Sequence, residues 1–169
     1  IRDREDKDFN SIAFINPDAA FVAQKMDDER GAGQLRGVLH GIPIVIKDNI
    51  DTADKMMTTA GSLALDGARV QRDANLVSRL REGGAIILAK TNLSEWANFR
   101  STKSCTGWSS RGGQVRNAYA IDRTPGGSSS GSAVAVARSF CAGAIGTETD
   151  GSIVVPAAMN SLVGIKPTV

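Results

Sequence analysis

The sequence predicts an α/β fold built on parallel strands. Two short apolar runs carry that reading: Gly41-Ile42-Pro43-Ile44-Val45-Ile46 and Ala85-Ile86-Ile87-Leu88-Ala89. Runs of this length, rich in aliphatic and β-branched residues, fit strands buried on both faces. Helical patterns precede, separate and follow them, and strands alternating with helices imply a parallel sheet. With 169 residues, 41% hydrophobic and 22% charged, the chain has enough apolar side chain for a real core and is not a disordered polymer.

Each element has a local reason. Residues 1–11 are mostly charged and read as a solvated lead-in. Asn16-Pro17-Asp18 predicts a helix start, with Asn16 as cap, Pro17 at the first helical position and Asp18 at the positive end of the dipole. Phe21, Val22 and Met26 give that helix a buried face up to about Arg30, and Gly31 and Gly33 end it. The first strand follows, with Lys47-Asp48-Asn49 at its end. Asp73 is expected to cap a second helix with Leu76, Val77 and Leu80 inward, closed by Gly83-Gly84. After the second strand, Asn92-Leu93-Ser94-Glu95 reads as a capping box opening another helix. Residues 100–123 show no periodicity and predict a long surface segment. From Ser132 to Ala142 small apolar residues face nearly all ways, as in a buried helix. Ala144 to Thr147 reads as a brief strand, and Pro156 opens a last helix.

Composition narrows the function classes. A net charge of +2 and an aromatic content of 5% argue against nucleic acid as a partner. No apolar run reaches the length of a membrane span. Cys105 and Cys141 form no CxxC and lie near no histidine pattern, so neither metal nor cofactor is expected, and both thiols are expected reduced. The chain opens without Met and stops at Lys166-Pro167-Thr168-Val169 without a closing element, so both ends read as cut. A soluble, cytoplasmic setting is expected, with secretion or a periplasmic setting left open by that N-terminus.

Three segments carry chemistry. The first is Lys47, which ends an apolar strand; in open α/β sheets, ligands sit at the carboxyl ends of strands. The bland reading is a lysine that extends its stem to water. Desolvated instead, it would lose its proton well below the ordinary value of about 10.4 and serve as a general base. The second is Gly126-Gly127-Ser128-Ser129-Ser130-Gly131-Ser132, between a proline turn and an apolar helix, where a flexible linker has no purpose. It lacks the lysine of a phosphate loop and the spacing of a dinucleotide fingerprint. The third is Thr149-Asp150-Gly151-Ser152, before a helix, whose backbone N–H groups fit an oxyanion hole, against the plainer reading of Ser152 as an N-cap. The single histidine, His40, reads as a packed or loop residue, so serine chemistry here needs another base. An Asp48–Asp150 carboxylate pair and a Cys141–His40 dyad are weaker arrangements of the same residues. Trp108, on the long loop, either lines a substrate channel or packs.

Together these segments resemble the amidase signature family. The likeness runs in order from Asn16-Pro17-Asp18-Ala19 and His40-Gly41-Ile42-Pro43 through Ile46-Lys47-Asp48-Asn49-Ile50 and Ala89-Lys90-Thr91-Asn92-Leu93-Ser94-Glu95. It continues through Arg123-Thr124-Pro125-Gly126-Gly127-Ser128-Ser129 and Gly151-Ser152-Ile153 to Gly164-Ile165-Lys166-Pro167-Thr168. Gly107 to Gln114 and Gly146 to Thr149 are most similar to the peptide amidase branch. The resemblance implies a mixed, largely parallel sheet covered by helices on both faces, with residues 1–169 forming one incomplete domain that contains the whole catalytic triad. It implies Lys47 as general base, Ser128 as bridging serine after a cis peptide bond, and Ser152 as nucleophile 24 residues further on. Thr149, Asp150, Gly151 and Ser152 would supply the oxyanion hole, with Gly127 and Ser129 in support. The implied reaction is hydrolysis of a small-molecule or peptide C-terminal amide through an acyl-enzyme. Two alternatives stay open: a non-catalytic anion- or nucleotide-binding domain using Gly126 to Ser132, and the A subunit of a glutamine-dependent tRNA amidotransferase.

Overall fold

A computed structural model describes residues 6–168. Its main sheet has four strands: β1 (Ile12–Ile15), β2 (Pro43–Lys47), β3 (Ile86–Thr91) and β6 (Gly143–Ile145), in the order β1-β3-β2-β6. β2 runs parallel to both β3 and β6, and β1 is antiparallel to β3. The sheet is therefore mixed and largely parallel, as expected. Alternation along β2 sends Ile44 and Ile46 to one face and Val45 to the other. Ile44 and Ile46 join Ile87, Met56 and Val77, the last on helix α2 (Asn75–Glu82). Val45 joins Ile12, Ala89 and Ala135, the last on helix α3 (Ser130–Ala137). Helices thus cover both faces. Helix α1 (Ala19–Gly31) packs Ala19 and Met26 against Ile86 of β3. A short hairpin, β4 (Trp108–Ser109) with β5 (Gly113–Gln114), lies inside the long loop, and α4 (Val154–Met159) is the last helix among the described residues.

Where the structure departs from expectation, polar side chains have mostly found partners outside their own element. The lead-in is not solvated at Asp6 and Ser11, which are 2% and 0% exposed. Asp6 accepts the backbone N–H groups of Ser11 at 2.8 Å and Ile12 at 2.7 Å, and so anchors β1, a strand that the charged stretch before it hid. Residues 1–5 of the lead-in lie outside the described residues. Helix α1 begins after Asp18, with no side-chain cap. Asn16 accepts the Asp18 N–H at 3.0 Å and donates to Ile87 O at 2.8 Å, fastening the helix start to β3. Phe21 faces out, 74% exposed.

The same pattern recurs further along. Asp73 does not cap α2; its carboxylate binds the Ala53 N–H and the Arg81 guanidinium, and Ala74 is the N-cap. Val77 is buried and Leu80 packs beside it, whereas Leu76 is 40% exposed. The expected capping box at Asn92–Glu95 is absent. Glu95–Asn98 is a single 3₁₀ turn in which Trp96 and Ala97 hold left-handed backbone angles. Ser94 accepts the Gly107 N–H at 2.8 Å and Glu95 the Ser110 N–H at 2.7 Å, so both side chains fasten the long loop instead. Helix α3 starts two residues early and stops at Ala137, and Ser139 turns the chain with φ 58°.

Helix α3 is seated by a glycine. The Gly131 N–H donates to Asn92 O at 3.0 Å, and a Cβ on Gly131 would lie 2.2 Å from Ser11 O and 2.4 Å from Asn92 O. Those are backbone atoms just before β1 and just after β3, so neither side can yield. The approach brings the start of α3, and Ser128 before it, against the carboxyl ends of β2 and β3. Along the β6 edge runs an apolar groove of about 890 Å³, lined among others by Leu80, Val136, Ile145, Ile153, Val163 and Ile165. Lys47, Ser128 and Ser152 do not line it. Among the described residues no helix is long and apolar enough to cross a membrane. Gly131→Ala is expected to cost about 3 kcal/mol in urea unfolding, the upper end of the usual cost of overpacking. Gly143→Ala, where a Cβ meets nothing within 4 Å, should stay within about 1 kcal/mol.

Candidate active site

Lys47 is the last residue of β2 and pairs in register with Thr91 of β3. Its side chain therefore leaves the sheet on the α3 face, where Thr91 Oγ1 meets Ser132 Oγ at 2.7 Å. The lysine is 0% exposed. Burial alone brings its pKa down to about 7, because the dry site disfavours the ammonium. Among the described residues no carboxylate forms an ion pair with it. Its Nζ lies 2.6 Å from Ser128 Oγ, 2.8 Å from Thr147 Oγ1 and 3.3 Å from Thr147 O. Asn49 Nδ2 donates to Thr147 Oγ1 at 3.0 Å.

Ser128 is also 0% exposed, and the Gly127–Ser128 peptide bond is cis. Its carbonyl accepts the Ser94 N–H at 3.1 Å. A Cβ on Gly127 would come within 2.6 Å of Ser94 Oγ and 2.9 Å of Thr106 Cγ2, so this position has no room for a side chain. Ser129 links the loop to the segment bearing Ser152: its N–H donates to Ser152 O at 3.1 Å, and its hydroxyl to Thr147 O at 3.2 Å. Lys47, Ser128 and Ser129 are thus brought together, with Ser152 tied in through its backbone. The Ser152 hydroxyl itself makes no hydrogen bond among the described residues, so the expected Ser128–Ser152 hydroxyl contact is not formed here.

The backbone nest needs one correction. The Gly151 N–H is not open to a ligand: it donates to Glu148 Oε1 at 3.1 Å. Glu148 Oε2 accepts the N–H groups of Ile153 at 2.7 Å and Val154 at 3.0 Å. These amides, Val154 foremost, hold the Glu148 carboxyl below its ordinary pKa. The carboxylate thereby fixes the loop that carries Ser152. The N–H groups of Thr149, Asp150 and Ser152 make no hydrogen bond among the described residues, and the first two residues are exposed. The glycine loop is poorly placed to cradle an anion. Ser129 N–H points at Ser152 O, Gly131 N–H at Asn92 O and Gly126 N–H at Thr124 Oγ1.

Other residues fall outside the cluster. His40 is buried as expected, its Nε2 2.8 Å from Met26 O while Nδ1 accepts the Arg36 N–H. Burial raises the Cys141 thiol to about 11, which leaves it inert at neutral pH; Cys105 is exposed, and neither is bridged. Asp48 is buried while Asp150 is exposed, so no carboxylate pair is built from them. Trp108 is 45% exposed on β4. The sequence reading missed Thr147, Asn49, Glu148 and a second buried lysine, Lys90. Lys90 is in register with Ile46 and so leaves the opposite face from Lys47. It donates to Ile50 O at 2.7 Å and Thr58 Oγ1 at 2.9 Å, and lies 3.8 Å from Asp48.

The model of a family described as amidase matches residues 3–169. The crystal structure of a peptide amidase from Stenotrophomonas maltophilia superposes with a TM-score of 0.92 at 61% identity, over 95% of this chain and 32% of that one. A Schizosaccharomyces pombe protein bearing the amidase name is 54% identical over 160 residues, 95% of this chain and 27% of its own length. The A subunit of the glutamyl-tRNA(Gln) amidotransferase of Symbiobacterium thermophilum is 47% identical over 160 residues, 92% of this chain and 32% of that protein. The chain thus spans about a third or less of the relatives it matches.

The burial of Lys47 has a thermodynamic consequence. Its folded pKa of about 7 lies below the ordinary 10.5, so between these values the unfolded chain holds the extra proton. Stability should therefore rise with pH across that window. In denaturant melts at stepped pH, Lys47→Met should lose this slope and gain stability most near pH 7. An identical slope in both proteins would show that Lys47 keeps its proton in the fold.

Proposed function

The chain belongs to the amidase family, and we propose that it carries the catalytic apparatus of an amide hydrolase, with Lys47 as general base, Ser128 as proton relay and Ser152 as nucleophile. The observation that carries this reading is the 2.6 Å contact between a fully buried lysine, with no carboxylate partner among the described residues, and a fully buried serine at the carboxyl end of the sheet. A buried ammonium with no acid to balance it is costly, whereas a neutral amine there is a base.

Neutral Lys47 takes the Ser128 hydroxyl proton as Ser128 Oγ takes that of Ser152. Ser152 Oγ attacks the amide carbonyl carbon, and the oxygen that gains charge is met by N–H groups of the Thr149–Ser152 turn. Because Gly151 already serves Glu148, those of Thr149, Asp150 and Ser152 are the donors assigned here. Ser128 then gives its proton to the amide nitrogen while Lys47 returns one to Ser128, and the C–N bond breaks. Without that proton the departing amine would be an anion and a very poor leaving group. Water repeats the cycle on the acyl-enzyme and frees the acid. No cofactor or metal enters this scheme.

The substrate class proposed is a peptide C-terminal amide or a related small carboxamide, on the strength of the likeness to a peptide amidase. A second reading, the A subunit of a glutamine-dependent tRNA amidotransferase, is supported by the 47% identity to such a protein. We further propose that residues 1–169 are part of one larger domain whose remainder covers the groove beside β6, where Val163 and Ile165 stand 88% and 76% exposed.

In the full-length protein a fluorophosphonate should add to Ser152, and Ser152→Ala should abolish the adduct in intact-mass spectra. An unlabelled, folded wild type would end the nucleophile assignment. A panel of peptide amides, aryl amides and glutamine separates the two substrate readings, with Lys47→Ala as control. For the preferred amide, kcat/KM should fall about tenfold per pH unit below about 7, where Lys47 becomes protonated.

A further inference from the structure

We infer that Thr147 is a positioning residue that locks the rotation of the Lys47 amine so that its lone pair faces Ser128, and that Asn49 holds Thr147 in that task. The inference rests on the reading of Lys47 as base. It follows from counting donors and acceptors. Lys47 Nζ has three neighbours: Thr147 O at 3.3 Å, Thr147 Oγ1 at 2.8 Å and Ser128 Oγ at 2.6 Å. A carbonyl oxygen only accepts, so one amine N–H belongs to Thr147 O. A neutral amine has one N–H left and one lone pair, to be shared between the two hydroxyls. If the lone pair faced Thr147, Ser128 would receive an N–H and its own proton would have no acceptor on the lysine.

Two features bias the choice. Asn49 Nδ2 donates to Thr147 Oγ1 at 3.0 Å, which fixes that hydroxyl as an acceptor at one lone pair and restricts where its proton points. The Thr147 backbone is pinned from the other side, since Ser129 Oγ donates to Thr147 O at 3.2 Å and accepts the Thr147 N–H at 3.3 Å. With both Thr147 oxygens accepting, the third tetrahedral position of Nζ is aimed at Ser128. The same cradle serves the protonated state. When Lys47 takes the Ser128 proton, all three of its N–H groups already have acceptors, and nothing need move. Such preorganisation is what lowers a proton-transfer barrier in a dry site. Among the described residues no titratable group competes for Nζ: the other neighbours are hydroxyls, an amide and carbonyls, and Asp48, next in sequence, bonds on the other face to Thr59 and Gly61.

The test uses the full-length enzyme with its preferred amide. Thr147→Val removes the hydroxyl at nearly constant shape. It should lower kcat about 10–100-fold, the range for losing one charge-assisted hydrogen bond, with KM within about twofold. Because Oγ1 holds the ammonium more strongly than the amine, its loss should also move the acid limb of kcat/KM to lower pH. Thr147→Ser should restore both the rate and the limb. A merely structural threonine would lower activity without moving the limb. Thr147→Val with unchanged kcat, or with a limb that stays in place, overturns the inference, and thermal melts of all variants identify any that fail to fold. If Thr147→Val does not fold, Asn49→Ala supplies the reading, with a smaller loss in kcat expected and no change overturning it. An active Lys47→Met variant would sink the base assignment itself and this inference with it. A Lys47-dependent enzyme indifferent to Thr147 would sink only the latter.

Discussion

The desolvation of one amine organises this structure. Lys47 sits at the end of β2 with no access to water and no carboxylate beside it, among the described residues, to offset a charge. A lysine so placed gives up its proton near pH 7, far below its ordinary value, and three oxygens gathered around its nitrogen give it the contacts to act on. The surrounding fold serves that placement: β3 and β6 flank β2 in parallel, α3 closes the face above, and Gly131 allows α3 to come close enough to present Ser128.

Lys90 shows what the same burial does with a partner. It lies one strand over and on the opposite face, also 0% exposed. Burial pushes its pKa down, but Asp48 at 3.8 Å pulls it back. Its ammonium is further held by Ile50 O and Thr58 Oγ1, which ties down the segment after β2. Burial in turn pushes the Asp48 carboxyl up, with the Thr59 hydroxyl and Lys90 opposing that shift. Two lysines of equal burial thus differ in kind. One is fastened by a carboxylate and backbone oxygens, and the other faces a serine with no carboxylate paired to it among the described residues. The difference lies in the neighbours, and not in the residue type or its depth.

Much of this was legible in the sequence, for identifiable reasons. The strands β2 and β3 announced themselves as apolar runs, and Lys47, Ser128 and Ser152 sat in segments too unusual for linkers. Elements were lost where a polar residue had a partner outside its own segment. Asp6 reads as surface charge until β1 is folded onto it, and Asn16, Asp73, Ser94 and Glu95 read as caps until their partners on other segments are known. Thr147 and Asn49 carried no signal of their own, because a threonine in a short strand and an asparagine after one are ordinary. Glu148 lies next to the predicted nest, yet only coordinates reveal that it occupies the Gly151 N–H. Local pattern identified the groups with chemistry, and long-range contact determined which groups hold them.

The charge of the Lys47 amine is the point on which the account stands, and nitrogen NMR of that amine in the full-length protein reads it directly. With lysine side chains labelled at Nζ and Lys47→Met used to assign the signal, the account predicts a resonance that changes from ammonium to amine with a midpoint near pH 7. A Lys47 signal that stays in the ammonium range up to pH 10 would contradict it.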